Sequence, residues 1–515
     1  MGASPHLDKM LRRRINQVTV VGYELLRQSL GLQVFPSGQP AVVRPVTRVQ
    51  SLAGELAVPP HVAPRSNDIV EHLLFALKHE GTNLQVIAAA CAHVQPSRLL
   101  EMLRATPAGG YIRKLCYLWE RFSERELSDL PDGVAGVAVP LFDPDKYLVS
   151  RTIDRDRKWR VDFNGLGNWR FCPSVRKTPE ILRLLDADVM TSVEGFLHGM
   201  DPALLERALA WAYLDETRSS YEIEREPPTE AKAEAFMSLL RQAHDRRPLS
   251  EEYLVELQNA TVTNPLLRAT TFRHDQNHLK GPARGAPGVT YVPPPPELLH
   301  TIMEGIIQAV DPAEHPDIDP LVRAALVSFG FVFAHPFMDG NGRLSRFLLH
   351  YTLCQTGALE RGHILPVSAA MKRNEFDYLT ALQSFSRPAR QLWGVTWIDS
   401  DRYLFEPRFD PRVYIYWDAT PCVEFTLRMA KLALEQDLAH EAEFLAGYDE
   451  VTKEVDRRYD LVGSTLSTLV LSCHQNGGVL SRHRRKQFGA TVPAQAFDFI
   501  EASVREHMPR RHASR

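Results

Sequence analysis

The stretch Leu321–Leu353, LVRAALVSFGFVFAHPFMDGNGRLSRFLLHYTL, decides how this chain is read. Val322, Ala325, Leu326, Phe329 and Phe333 recur at helical spacing as one apolar stripe, so a buried helix is expected over Leu321–Ala334. Pro336 disfavours helical geometry in the residue before it, which ends this helix near His335. A loop over Pro336–Gly340 follows, and a second helix starts near Asn341 with Phe347, Leu348 and Tyr351 facing inward. The first N–H groups of that second helix lack intrahelical acceptors, and the positive end of its dipole points at the loop, which suits phosphate. Gly340 and Gly342 let an anion approach the backbone closely. Arg343 and Arg346, three apart on one helix face, add two permanent cationic forks that match phosphate oxygens. Asp339 offers a hard oxygen ligand beside this anion site, as magnesium requires when one or two carboxylates hold it together with substrate phosphates. His335, with an unperturbed pKa of about 6.5, is suited to take a proton from an attacking hydroxyl at neutral pH.

HPFMDGNGR, with Arg346 after it, resembles the signature of the Fic family, HPFx(D/E)GN(G/K)R-x-x-R, and every fixed position is filled. The resemblance extends upstream, where YVPPPP and the helix after it resemble the family's flap and following segment. Downstream, LPVSAAMKRNEFDYLTAL resembles its later core helices, so roughly Pro179–Pro388 is covered. The resemblance implies a mainly α fold, an all-helical Fic core with a small β-hairpin flap, flanked by helical N- and C-terminal domains. It further implies that His335 is the catalytic base and Asp339 the ligand for Mg2+ or Mn2+. Gly340, Asn341 and Gly342 would form the α/β-phosphate cradle of ATP, Arg343 and Arg346 the phosphate clamp, and Phe337 the anchor of the loop. In the Doc branch, which phosphorylates its target, a lysine resembles the usual occupant of position 342 and Ala replaces Gly340. Both are Gly here, which favours transfer of AMP with release of pyrophosphate.

Ser220 and Glu224 stand four apart in SSYEIERE, hence on one helix face. Upstream of a Fic core the segment resembles the inhibitory motif (S/T)-x-x-x-E-(G/N), whose glutamate pairs with the second signature arginine. The resemblance implies that Glu224 holds Arg346 away from the γ-phosphate, with Arg225 departing from the usual Gly or Asn. Thr270–Pro296 reads as a β-hairpin. It resembles the flap, with Thr290, Tyr291 and Val292 at the strand where a target segment would align by backbone bonds. His274 and His278 in such a hairpin do not share a helix face and are not read as a metal pair.

The 515 residues divide by this reading into an N-terminal extension and linker (1–60), a helical domain (61–175), the Fic domain with inhibitory helix and flap (176–400) and a C-terminal helical domain (401–515). Within the last, helices are expected at about Arg412–Ala446 and Asp449–Cys473. A formal net charge of -3 gives no whole-molecule field favouring nucleic acid or anionic membrane. The basic run Arg482, Arg484, Arg485 and Lys486 lacks aromatic interleaving and reads as a solvated face. Six scattered cysteines, no membrane-length apolar run, and His6 where a Met1–Gly2 myristoylation motif wants Ser or Thr point to a soluble, cytoplasmic protein. The expected partners are ATP and a target protein bearing a Ser, Thr or Tyr hydroxyl, the chain itself counting among candidate acceptors. The competing readings are a Fic enzyme with another nucleotide donor, phosphoryl transfer or removal of AMP, and a non-enzymatic regulator with a vestigial Fic fold.

Overall fold

The computed structural model describes residues 19–131, 134, 136–262, 264–399 and 402–509, so the readings at Met1–Gly2 and His6 lie outside the described residues. The chain forms two compact units, each built from separated segments. The first takes Met1–Leu182, Pro248–Ser345 and Leu379–Glu424; the second takes Arg183–Arg247, Arg346–Tyr378 and Phe425–Arg515. The signature helix, Asn341–Gln355, carries the chain from one to the other between Ser345 and Arg346.

In the first unit, residues 20–58 form a small sheet, where the sequence shows no readable period. Ala41–Val43 pairs antiparallel with Val20–Val21 and parallel with Glu55–Val58, which also pairs with Gln50–Leu52. The helical patterning after Ile69 becomes four helices, Ile69–His79, Leu84–Cys91, Pro96–Ala105 and Gly110–Ser123. Asp68 starts the first of them by accepting the Glu71 N–H at 3.0 Å. The Gly165–Gly167 turn is a packing device. A Cβ at Gly167 would lie 2.1 Å from the Phe171 carbonyl oxygen, which explains the glycine.

The helix Pro320–Ala334 has Pro at its first position, and Asp319 accepts the Leu321 and Val322 N–H groups at 2.9 and 3.1 Å. Buried nearly all round, it is the central rod of this unit. Gly330 admits the Phe171 ring, which a Cβ there would meet at 2.5 Å. The expected hairpin is present but short: Leu279–Lys280 pairs antiparallel with Val289–Tyr291. A second, longer hairpin, Trp393–Asp399 with Arg402–Pro407, escaped the sequence reading, and its Trp393 packs with Val289 and Val292 of the flap.

The long helix expected from Arg412 is corrected. Pro411–Tyr414 is a single 3-10 turn, the α-helix begins at Thr420, and a π segment, Ala433–Leu438, joins Thr420–Leu432 to Ala439–Asp456. The next helix, expected over Asp449–Cys473, is Gly463–Gln475, because the chain leaves helical geometry after Asp456. In the basic helix Arg482–Phe488, Arg485 is ion-paired with Asp498 at 2.7 Å and Glu501 at 2.6 Å. Among the described residues no helix is long and apolar enough to cross a membrane, and all six cysteines are free.

The second unit is organised along Pro202–Ile223, a 22-residue helix capped by Asp201. One flank carries a knot of acids. Burial, with Asp437 and Glu216 close by, pushes Asp215 up to about 6, and burial with Asp215 close by pushes Glu441 up to about 7. Folded-state values above the unfolded ones stabilise below the unfolded carboxylate range, and this contribution is lost as pH rises through about 6 to 7. Asp215→Asn should therefore raise the thermal midpoint relative to wild type more at pH 8 than at pH 5. Calorimetry at the two pH values checks this.

Candidate active site: the signature loop and its helix

The loop between the two helices is held by its own residues and by two neighbouring segments. His335 ends the first helix with a left-handed backbone, φ +51°, and donates its own N–H to the Phe331 carbonyl at 2.9 Å. Its ring Nδ1 lies 3.2 Å from the Val332 carbonyl oxygen. A proton on Nδ1 satisfies that carbonyl and leaves Nε2 as the basic nitrogen, the tautomer a general base needs. Phe337 is 1% exposed, whereas Met338 at the variable position is 54% exposed, so the loop is pinned by one side chain and turned outward at the next.

Asn341 closes the loop on itself. Its Oδ1 accepts the Phe337 N–H at 3.0 Å and its Nδ2 donates to the Phe337 carbonyl at 2.7 Å, so this side chain is committed to the loop. Gly340 has φ +86°, a conformation that strains any other residue. Asp339 Oδ1 accepts the Gly340 N–H at 2.7 Å and lies 3.3 Å from Arg343 Nη2. Arg343 is 2% exposed and also donates to the Thr261 carbonyl at 3.3 Å.

Residues the sequence reading missed hold this loop from outside. The buried Arg273 donates Nε to the His335 carbonyl at 2.9 Å and Nη2 to the Pro294 carbonyl at 2.6 Å, while its own N–H donates to the Pro336 carbonyl at 2.8 Å. Burial lowers its guanidinium to about 10. Asn277 donates to the Phe337 carbonyl at 3.0 Å, and Gln258 to the Asp339 carbonyl at 3.3 Å. Nothing in the local sequence marks these residues, which act on the loop's backbone oxygens 60 to 81 positions away.

In the flap, Thr290 is exposed, but Tyr291 and Val292 are buried at 3% and 0%, and the Tyr291 hydroxyl donates to the Phe333 carbonyl at 2.5 Å. The side chains of 291 and 292 thus root the flap, leaving its outward face to Thr290 and the backbone. His274 contacts the Thr271 hydroxyl, and the His278 ring packs on Tyr403 and Phe405, which leaves them unlike a metal pair.

Arg346 belongs to the second unit, where it meets Ser220 and Glu224. Its Nε donates to the Ser220 hydroxyl at 2.8 Å, and its Nη2 donates to the Ser220 carbonyl at 2.7 Å and to Glu224 Oε1 at 2.8 Å. Burial works against the guanidinium charge, but Glu224 and Tyr378 outweigh it and hold the group above its ordinary value. Arg346 Nη1 is buried with no partner among the described residues, so the fork has donor capacity left for an anion.

The end of the Ser220–Glu224 helix explains the third position of the resembled motif. Arg225 is left-handed at φ +59°, its N–H donates to the Glu222 carbonyl at 2.9 Å, and the Glu226 N–H donates to the Tyr221 carbonyl at 3.1 Å. This is a Schellman turn, whose left-handed residue is usually Gly or Asn. Arg225 keeps the turn at the expense of backbone strain.

A helix, a loop closed by Asn341, a positive-φ Gly340 and a second helix carrying Arg343 and Arg346 make up the site of a Fic/DOC-family domain, and residues 248–353 match that family. The chain is 34% identical over 67 residues to protein adenylyltransferase fic-1 of Caenorhabditis elegans, covering 13% of each chain. It is 24% identical over 215 residues to protein adenylyltransferase Fic of Drosophila mojavensis, covering 35% of this chain and 41% of that one. The chain spans less than half the length of the curated relatives it matches here. Among solved structures it is similar to a Fic domain containing signaling protein from Bacteroides thetaiotaomicron, at 18% identity and TM-score 0.37, covering 51% of this chain and 96% of that one. It is also similar to Fic-1 from C. elegans, at 16% identity and TM-score 0.33, covering 73% and 100%.

Proposed function

We propose that this protein is a nucleotidyltransferase that moves AMP from ATP to a hydroxyl side chain of a protein. The observation that carries the reading is the loop itself, where a histidine poised as a base through Nδ1 adjoins the N-terminus of a helix bearing two arginine forks. In the reaction the acceptor oxygen bonds to the α-phosphorus, the bond from that phosphorus to the bridging oxygen breaks, and pyrophosphate leaves. His335 Nε2 takes the hydroxyl proton. Backbone N–H groups of Asn341 and Gly342, with Arg343, bind phosphate oxygens; Gly340, whose N–H is held by Asp339, lets the anion come close, and the Asn341 side chain keeps the loop in shape.

The donor set fits a hard divalent cation, since Asp339 supplies a carboxylate beside a phosphate site, the usual protein share of a magnesium site. Bound there, Mg2+ or Mn2+ would neutralise phosphate charge and orient the nucleotide. Asp339→Ala should lower the rate roughly tenfold or more at low metal, with partial recovery as Mg2+ or Mn2+ is raised. A metal titration of initial rates checks this, since loss of the Asp339–Gly340 loop bond alone would be indifferent to metal.

Glu224 is read as a brake that occupies Arg346, three residues beyond Arg343 on the signature helix. In this reading the strain at Arg225 weakens the brake. Arg225→Gly removes a left-handed penalty of about 1 kcal/mol, so basal AMP incorporation should fall by up to about fivefold while the helix end gains stability. Initial rates for the two proteins at equal ATP measure it. Six free thiols support a reducing, cytoplasmic setting. The reaction class is tested by intact-mass analysis of the protein and of a cell extract after incubation with ATP, where a gain of one AMP residue per acceptor is expected.

A further inference from the structure

Glu216 is 1% exposed, four residues ahead of Ser220 and eight ahead of Glu224 on the same helix, so the three lie along one face. Its Oε1 lies 2.7 Å from His350 Nε2 and accepts the Ser368 hydroxyl, and its Oε2 accepts the Ser368 N–H at 2.7 Å. His350 follows Arg346 by four residues, one turn along the signature helix. Within the second unit, Pro202–Ile223 is therefore tied to the signature helix by two rungs, Ser220 and Glu224 on Arg346 and Glu216 on His350.

The rungs differ in kind. Glu224 is 37% exposed and sits at the helix end beside the strained Arg225, whereas Glu216 lies mid-helix, with both oxygens engaged by donors from two segments. A buried carboxylate is costly unless fully paired, and neither the phosphate loop nor the Ser220–Glu224 motif requires an acid at 216. Its contacts instead fix the rotation and the axial position of the helix that presents Glu224.

We propose that Glu216, clamped by His350 and Ser368, is the positioning residue of the brake: it holds the helix in the register that sets Glu224 on Arg346. The proposal rests on Glu224 being inhibitory. Glu216→Gln keeps the shape and one acceptor but loses the charge that strengthens every bond of the clamp. Loosening the clamp should let the helix end leave Arg346 without altering the loop that binds nucleotide.

The experiment compares initial rates of AMP incorporation at saturating ATP and Mg2+ for wild type, Glu216→Gln, Ser368→Ala, Glu224→Gly and the double variant Glu216→Gln, Glu224→Gly, each with its thermal midpoint. Glu216→Gln should be roughly tenfold or more faster than wild type, the scale of a lost charge-assisted bond. Ser368→Ala should fall between the two, and the double variant should be no faster than Glu224→Gly. That non-additive gain is a signal a merely structural residue would not give, because loss of packing lowers rates and lowers them further when combined. If Glu224→Gly is activated while folded Glu216→Gln and Ser368→Ala run at the wild-type rate, the clamp is overturned and the brake stands. Wild-type rates for Glu224→Gly would instead remove the brake and the clamp with it. Should Glu216→Gln fail to fold, Ser368→Ala decides alone, since it deletes one hydroxyl from the clamp.

Discussion

His335→Ala is expected to lower AMP incorporation by about 10²- to 10⁴-fold, the range a general base supplies, while nucleotide binding stays near wild type. The separation follows from the geometry. The ring is oriented through Nδ1 by the Val332 carbonyl, but the backbone of the loop is held by other hands: Asn341 from within, Arg273, Asn277 and Gln258 from outside. Losing the imidazole removes the base and leaves those bonds in place. Because residue 335 is left-handed, His335→Asn is the better control, since Asn tolerates that conformation and offers no comparable base. Both variants should bind ATP as wild type does in calorimetric titration and be nearly inert in transfer. Near-wild-type transfer by either would remove His335 from the chemistry.

Glu224→Gly is expected to raise self-modification and target modification roughly tenfold or more, the scale of a charge-assisted hydrogen bond removed from a buried partner. Arg346 is 2% exposed and its Nη1 has no partner among the described residues, so taking away Glu224 leaves a guanidinium short of acceptors and open to a phosphate. Ser220 still accepts from Nε and Nη2, which keeps the fork oriented. Glu222→Gly and Glu226→Gly should change the rate little, because Glu222 turns to Lys372 and Glu226 lies beyond the helix end. The double variant Glu224→Gly, Arg346→Ala should lose the gain. Initial rates of the five proteins at saturating ATP and Mg2+ make the comparison, and an unchanged rate for Glu224→Gly with His335 still essential would show that Glu224 is only a helix-end ion pair.

Legibility in the sequence followed the range of the interactions. The helix at Pro320–Ala334 could be placed within a residue because the apolar stripe and the terminating Pro336 are both local. The contact of Glu224 with Arg346 spans 122 positions, and what suggested it was the resembled motif, not the spacing alone. Arg273 and Glu216 had no such guide. Each is a polar residue whose partners are backbone or buried groups far along the chain, and nothing local separates it from a solvated neighbour. The sheet over residues 20–58 was hidden by strands of two to four residues, too short to show alternation. The hairpin at Trp393–Pro407 could have been found, for WGVTWID and RYLFEP are rich in β-branched and aromatic residues. The π segment at Ala433–Leu438 leaves no mark in composition and joins two helices that the sequence shows as one.

The central claim is that the loop directs attack to the α-phosphorus, and it is tested most directly by incubating the wild-type and Glu224→Gly proteins in parallel with α-labelled and γ-labelled ATP. The predicted result is label in protein from the α position alone, stronger in Glu224→Gly and absent from His335→Ala. Label from the γ position would contradict the account, because it would make the same loop a phosphoryl-transfer site despite glycine at both 340 and 342.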